Sequence, residues 1–345
     1  MRYDVLVVGC GPGGATAAYT LSREGAKVLI VDIKRAPGVP VQCAEFVPIQ
    51  LRHRFPEFFP DEVVSQAVKD MVHFTPWGEL VRMGSEGYVL YRDRFDRNIV
   101  ELALQHGAEL RLRTQFLGFE DGNVWLEHID GRERYSVKAD IIIGADGPHS
   151  KTAKLTGEHT RMFLTTAQFT LPLKHKLHDL LIYFREYIPG GYGWVFPKGE
   201  LANVGVGIDP DYPINVMESL KRFVDELLSE GLVEYRILGR TGGWIPAEGV
   251  KKPIRGKVLL VGDAGGFCHP ITGGGIANAV YTGAMAGEAV LEGSIEDYEE
   301  EALEVFGSSL NRAAGKRIKY MKSWDNLRFI IPKTWIAFEE YWKED

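Results

Sequence analysis

The residues best suited to chemistry lie where apolar runs end. Residues 5–8 lead into Gly9, Gly11 and Gly14, a G-x-G-x-x-G spacing, with Gly13 and Ala15 inside the same turn. An alanine-rich segment to Arg23, a second apolar run over 28–31 and then Asp32 complete the unit. In a strand–turn–helix–strand unit this spacing binds a dinucleotide. The first glycine permits the tight turn, the second lets the backbone approach a pyrophosphate, and the third lets helix and strand pack closely. The helix N-terminus offers N–H groups and partial positive charge to the pyrophosphate, and Asp32 is placed for a ribose hydroxyl pair. Two more motifs repeat the theme, GADGPHS (144–150) after the run 139–144 and GDAGGF (262–267) after the run 257–261. Each sets glycine and an acid where an apolar strand ends, and ligands bind there in open α/β sheets.

Two other places offer reactive or recognition groups. Cys43 sits in a Pro- and Gly-rich loop after Asp32, and a long structureless loop in a compact domain is commonly functional. Tyr192, Trp194 and Phe196 alternate along an expected strand and therefore share one face, and Pro197 is expected to end its pairing. Such a stripe is either the core of a β domain or the wall of a site for a long apolar chain. Alternation leaves the two open; under the second, Gly205 and Gly207 would leave room for ligands to approach. His175 and His178 lack an acid or cysteine at ligand spacing, so no metal centre is expected. Cys10, inside the glycine turn, reads as a small residue that fits.

These groups need elements to hold them. Residues 61–90 read as a polar helix followed by short strands with a turn at Trp77-Gly78. A helix follows, with Asp93 as its cap, Arg94 in its first turn and Gly107 at its end. Turns fall at 121–123 and 130–131. Strand patterns dominate from 160 to 245, over 165–173, 180–185, 193–196 and 201–208, interrupted by one amphipathic helix over 216–228. A small-residue helix then runs to about residue 291, and the tail from 298 is helical and aromatic.

Composition narrows the function. A chain of 345 residues with 45% hydrophobic and 25% charged residues is ordinary globular protein. The net charge of −7, without a basic run interleaved with aromatics in the first 300 residues, argues against nucleic acid as a partner. Three widely spaced cysteines suggest a reducing compartment. No leader precedes the first strand and no apolar run approaches a membrane span, so a cytoplasmic protein is expected.

Taken together, GCGPGG, RDRFD around Arg94, GADGPHS and GDAGGF resemble the flavoproteins of the para-hydroxybenzoate hydroxylase fold, in which one FAD lies extended across the domain. The resemblance implies that Gly9, Gly11, Gly13, Gly14, Ala15 and Asp32 hold the ADP half, with Arg94 near the pyrophosphate. It places Asp263 at the ribityl chain or pyrophosphate and Asp146 beside the cofactor. Gly275 and Ile276 would contact the flavin ring at a helix N-terminus. The segment GYGWVFPKGELANVGVG is similar to the Y-x-W-x-F-P…G-x-G signature of geranylgeranyl reductases, which saturate prenyl double bonds. QCAEF is similar to the cysteine loop of those enzymes and brings Cys43 and Ala44 toward the flavin. Two departures stand out: Asp32 replaces a common Glu, and Phe46 stands where the family commonly has Gly.

The resemblance implies an α/β fold, α+β overall: a Rossmann-like FAD-binding domain over 1–70, 91–160 and 250–297, an inserted mostly β substrate domain over 71–90 and 161–249, and a helical C-terminal segment over 298–345. Reduction of an isolated alkene needs hydride from the flavin and a proton, for which Cys43 is the first candidate and Tyr192 the second. Tyr192, Trp194 and Phe196 would stabilise cationic character at the tertiary carbon, by up to ~2 kcal/mol each when desolvated. The expected substrate is an isoprenoid lipid or prenyl diphosphate, and the alternative is a flavin monooxygenase or halogenase of the same fold. Without a second dinucleotide unit, electrons would come from transiently bound NAD(P)H or from an electron-donor protein such as reduced ferredoxin.

The tail carries its own signal. Residues 311–333 hold seven Lys/Arg and one acid, with Trp324, Leu327 and Ile331 on one helical face and Trp335, Phe338 and Trp342 on the next. A basic, Trp-rich amphipathic end suits peripheral docking to the anionic inner face of a membrane. The competing reading packs these aromatics onto the substrate domain.

Overall fold

The computed structural model describes residues 1–343. The chain forms two compact units, each made of separated segments. The first comprises Met1–Val39, Asp93–Arg161 and Glu248–Arg312; the second comprises Pro40–Arg92, Met162–Ala247 and the chain from Ala313 onward. The boundaries differ from those expected. Residues 40–70 belong with the β-rich unit, and the C-terminal segment is shared between the two units.

The first unit is built on apolar runs buried on both faces, the pattern of a parallel sheet. Its strand order is Ile254–Arg255, Val258–Leu260, Glu133–Gly144, Arg2–Val8, Val28–Val31, Glu109–Arg111. The last five of these pair in parallel. Val8 lies opposite both Val31 and Gly144, and Leu260 lies opposite Gly144. The three glycine–acid motifs therefore leave one edge of the sheet side by side. Helix Pro12–Arg23 packs on helix Ile276–Glu292 through small residues; a Cβ on Gly283 would fall 2.2 Å from the Gly13 carbonyl oxygen. Neither helix could approach so closely with larger side chains.

The second unit is an eight-stranded sheet in the order Gly239–Pro246, Phe163–Pro172, Leu201–Ile208, Tyr192–Lys198, Leu180–Tyr183, Val64–Phe74, Leu80–Leu90, Phe46–Pro48. Only the contact of Leu180–Tyr183 with Val64–Phe74 is parallel. Helix Val216–Ser229, capped by Asn215 through the Met217 N–H, covers one face. Its Leu220, Phe223, Val224 and Leu227 pack with Phe169, Val195, Val204 and Val206 in a dry core.

Two local expectations change. Residues 64–90 form a long hairpin, not a polar helix followed by short strands. Val64, Val68 and Val72 lie four apart, a spacing that shares a face in a strand as well as in a helix, so periodicity alone did not separate the two. Pro197 does not end its strand: it lies opposite Ala202, and Lys198 opposite Leu201. The Leu180–Tyr183 strand pairs only with residues 193–195, so on that side no ladder bond is asked of Pro197.

Most of the tail's apolar face is spent inside the fold. Trp324, Leu327, Ile331, Trp335 and Phe338 are buried, whereas Trp342 is 59% exposed. Lys316 and Arg317 are buried as well, which removes two of the seven cations from the surface. The apolar face named for membrane docking is thus mostly core of the second unit. Among the described residues, no helix is long and apolar enough to cross a membrane.

Candidate active site

The first unit carries a cradle fitted to an extended dinucleotide. Gly9 has φ +104°, and a Cβ there would fall 2.3 Å from the Ala145 carbonyl oxygen, so the turn after the first strand admits glycine alone. A Cβ on Gly14 would lie 2.0 Å from the Gly9 carbonyl oxygen. Gly11 differs: nothing lies within 4 Å of its Cβ position, which leaves open space where a pyrophosphate approaches. Helix Pro12–Arg23 has no acid in its first turn and no side-chain cap, so its N–H groups face outward with their partial charge unopposed.

Asp32 is buried and works in two directions. Its Oδ2 accepts from the Cys10 N–H at 2.8 Å and its Oδ1 from the Lys34 N–H at 2.8 Å, so it ties the glycine turn to the chain after the second strand. Burial and the neighbouring Asp32 carboxylate push the Cys10 thiol far up, which makes it an inert small side chain. On the third motif, a Cβ on Gly275 would lie 3.1 Å from Asp263 Oδ1 and 3.4 Å from Cys268 Sγ. Asp263 thus lies beside the N-terminus of helix Ile276–Glu292, which also has no first-turn acid and no side-chain cap. Arg94 is exposed on helix Arg92–Gln105.

Asp146 has a different task from the one expected. It accepts from Ser150 Oγ at 2.5 Å, Lys151 N at 2.8 Å, Thr152 N at 2.9 Å and Thr152 Oγ1 at 3.1 Å. Its carboxylate is committed to the N-terminus of helix Lys151–Leu155, and what it presents toward the Gly9 turn is backbone.

The second unit holds Cys43, Ala44 and the aromatic stripe. Tyr192, Trp194 and Phe196 are buried on the sheet face opposite helix Val216–Ser229 and are joined by Phe46 and Trp335. Ring centroids are 5.8 Å apart for Tyr192–Trp194, 4.9 Å for Tyr192–Trp335 and 6.3 Å for Phe46–Phe196. Phe46, the departure from the family pattern, thus extends the stripe and lies on Gly87, where a Cβ would meet its ring at 2.6 Å. Gly205 makes room for the Trp194 indole, whereas a side chain at Gly207 would meet only ordinary contacts. A Cβ on Gly205 would fall 2.2 Å from Trp194 Cζ2, and one on Gly207 3.8 Å from Cζ3.

The residues that fix the cysteine loop were not singled out from sequence. Glu45, 2% exposed and at φ +75°, accepts from Lys198 Nζ at 2.5 Å, Asn203 Nδ2 at 2.6 Å and the Arg92 N–H at 3.0 Å. Its own N–H points at Cys43 Sγ, 3.2 Å away. Asn203 also donates to the Ala44 carbonyl at 3.4 Å. Gln168 donates to the Cys43 carbonyl at 3.1 Å and accepts from Trp194 Nε1 at 2.9 Å. No His/Cys/Asp/Glu cluster suited to a metal occurs among the described residues.

Comparison with known proteins settles the family. Residues 165–244, the span that contains Gln168, the aromatic strand and the two glycines, match the geranylgeranyl reductase catalytic domain, and residues 3–179 match the pyridine nucleotide-disulphide oxidoreductase model. A digeranylgeranylglycerophospholipid reductase of Methanocella arvoryzae is 35% identical, with 90% of this chain and 85% of that protein covered. The chain belongs to the geranylgeranyl reductase family. A second digeranylgeranylglycerophospholipid reductase, from Methanothrix thermoacetophila, is 36% identical over 92% of this chain and 85% of its own length. Among solved structures, a geranylgeranyl bacteriochlorophyll reductase-like protein of Thermoplasma acidophilum matches with TM-score 0.82 and 27% identity, covering 97% of this chain and 96% of that one. Flavin monooxygenases such as PqsL of Pseudomonas aeruginosa share the fold at TM-score 0.73 but only 19% identity, over 96% of this chain and all of theirs. The chain is accordingly an FAD-type oxidoreductase of mixed α/β architecture, with a Rossmann-like cofactor fold and C-terminal helices.

Proposed function

We propose that this protein is an FAD-dependent reductase that saturates carbon–carbon double bonds of geranylgeranyl chains carried on a glycerophospholipid. The observation that carries the reading is the second unit's face: a cysteine loop and a stripe of buried aromatics, Tyr192, Trp194, Phe196 and Trp335, joined to it by the Gln168 hydrogen bonds. Membership of a family whose relatives bear that activity in their names supports it.

Bound FAD supplies the two electrons as a hydride equivalent. The chain's own groups do the rest. Gly9, Gly11, Gly13, Gly14, Ala15 and Asp32 hold the ADP half, Arg94 and Asp263 serve the pyrophosphate and ribityl region, and Gly275 and Ile276 meet the ring system. Ala44 and Cys43 approach the cofactor from the cysteine loop. Cys43 Sγ gives the proton, and the Glu45 N–H aimed at it stabilises the sulfur charge left behind. Tyr192 is the second donor. Trp194, Tyr192 and Phe196 place aromatic faces against a carbon that develops positive charge, each contributing up to ~2 kcal/mol in a dry site.

Electrons arrive from NAD(P)H or a reduced ferredoxin. The protein works at the cytoplasmic face of the membrane that holds its lipid. The surface suited to that docking is not the buried aromatic face but exposed Ile318 and Phe329 with Lys319, Lys322, Arg328 and Lys333. In liposome flotation, Phe329→Ser with Lys333→Glu is expected to weaken binding to anionic vesicles; unchanged flotation rejects this surface.

The function itself is tested anaerobically. Dithionite-reduced protein is incubated with geranylgeranyl diphosphate and with a digeranylgeranyl glycerophospholipid, and mass spectrometry counts the hydrogens gained. Products that gain two mass units per bond in the absence of oxygen support the reading; products that form only with oxygen point to the monooxygenase alternative. Cys43→Ser and Trp194→Ala should keep FAD and slow reduction by about 10²-fold, the scale of a lost acid–base group. Loss of FAD from either variant would overturn the roles given to them.

A further inference from the structure

Trp194 and Gln168 sit two strands apart in one row of the second sheet. Trp194 lies opposite Gly205, Gly205 lies opposite Gln168, and Gln168 lies opposite Thr241. Neighbouring strands are about 4.8 Å apart, so an indole reaches across the middle strand only if the residue beneath it has no side chain. Gly205 meets that condition: its Cβ would fall 2.2 Å from Trp194 Cζ2. The glycine of the signature therefore lays the indole toward Gln168.

Gln168 is 5% exposed, and chemistry fixes the orientation of its amide. Trp194 Nε1 can only donate, so the amide oxygen must face it, at 2.9 Å. The amide nitrogen then faces the Cys43 carbonyl, at 3.1 Å. The same edge also holds the two preceding loop residues, since Thr241 Oγ1 donates to the Val41 carbonyl at 2.7 Å and Gln42 Nε2 to the Gly242 carbonyl at 2.8 Å. Only the Gln168 bridge among these three runs on to the aromatic strand.

We propose that Gln168 is a positioning residue that couples Trp194 to Cys43, so that the indole against which an apolar chain packs also sets where the thiol stands. The proposal deepens the reductase reading and rests on it for the roles of Cys43 and Trp194. A shift of the indole moves the amide, and the amide carries the Cys43 backbone with it. Gln168→Leu removes both bonds. Gln168→Glu keeps the acceptor for Trp194 but has no N–H for Cys43. Trp194→Phe removes the donor at the far end while keeping an aromatic ring.

The first readout needs no turnover. Alkylation of Cys43 by iodoacetamide is followed by mass spectrometry in the FAD-loaded protein, with buried Cys10 and Cys268 as internal controls. All three variants are expected to change the Cys43 rate several-fold while Cys10 and Cys268 stay unreactive. The second readout is a double-mutant cycle on the reduction rate. Gln168→Leu should cost about tenfold in the parent, the scale of two lost hydrogen bonds worth a few-fold each, and nothing further in a Cys43→Ser background. Unchanged alkylation in Gln168→Leu and Gln168→Glu overturns the coupling, as does a Gln168→Leu loss that multiplies with that of Cys43→Ser. If Gln168→Leu does not fold, Gln168→Glu and Trp194→Phe decide by the same rates. If alkylation shifts but the parent reduces no prenyl chain, the reductase reading fails and the coupling stands.

Discussion

Gly14→Ala protein is expected to purify without flavin. The added methyl would sit 2.0 Å from the Gly9 carbonyl oxygen and 3.0 Å from Ala145 Cβ. The first is backbone, in a turn that is itself pinned by positive φ and by Ala145, so no side chain can swing away to make room. The start of helix Pro12–Arg23 must move off the sheet, and the N–H groups that face the pyrophosphate move with it. Overpacking of this kind costs about 1–3 kcal/mol of stability, and a displacement near 1 Å is enough to spoil a bidentate phosphate contact. Gly11→Ala is the informative partner. Its Cβ meets nothing within 4 Å, so the apoprotein should melt like the parent while FAD affinity falls through collision with the ligand alone. Thermal melts of both apoproteins, with FAD titration by flavin fluorescence, separate the two cases. Stoichiometric flavin in purified Gly14→Ala would show that the cofactor does not lie on this turn.

The contrast between those glycines shows why the first unit could be read from sequence. Its site is made at strand ends, and each motif is contiguous: glycine, acid and helix start lie within a dozen residues, so spacing alone carries the geometry. The buried parallel runs over 5–8, 28–31 and 139–144 are short and continuous, and the sheet then aligns Val8, Gly144 and Leu260. The structural part played by Asp146 was hidden because the same GADG carboxylate can also cap a helix, and Ser150-Lys151-Thr152 supplies that helix with donors. The second unit was legible as strands but not as a site. The strand Leu201–Ile208 has the bounds expected of it, yet the side chains of Gln168 and Asn203 that hold the Cys43 and Ala44 carbonyls come from positions more than a hundred residues away. Gln168 and Asn203 look like the solvent side of alternating strands until pairing brings both under the cysteine loop. Gly205 could be seen, but its reason could not, since the group it accommodates is the neighbouring strand's own indole. Nor does sequence show a glutamate in the left-handed region.

That glutamate carries the second large effect. Glu45→Ala is expected to destabilise the second unit by about 3–5 kcal/mol, the cost of stranding one member of a buried ion pair. The Glu45 side chain is 3% exposed and that of Lys198 16%, with N and O 2.5 Å apart. Without the carboxylate, Lys198 loses its ion pair and keeps the Tyr91 ring beneath it, at 4.8 Å, and Asn203 and the Arg92 N–H each lose their bond to Glu45. Relief of backbone strain offsets part of this loss but moves the loop. Holding a non-glycine residue at φ +75° costs of order 1–3 kcal/mol, and the three contacts to the carboxylate are what hold it. Once they are gone, residue 45 can relax to an extended conformation and the N–H directed at Cys43 Sγ turns away. Two further variants separate charge from conformation. Glu45→Ala with Lys198→Met removes the stranded cation and should recover stability in denaturant melts without restoring reduction. Glu45→Gln keeps one acceptor oxygen, for either Asn203 or the Arg92 N–H, and should hold the loop better than Glu45→Ala. Equal stability of Glu45→Ala and the parent would mean that water reaches the pair and that the clamp contributes nothing to the placement of Cys43.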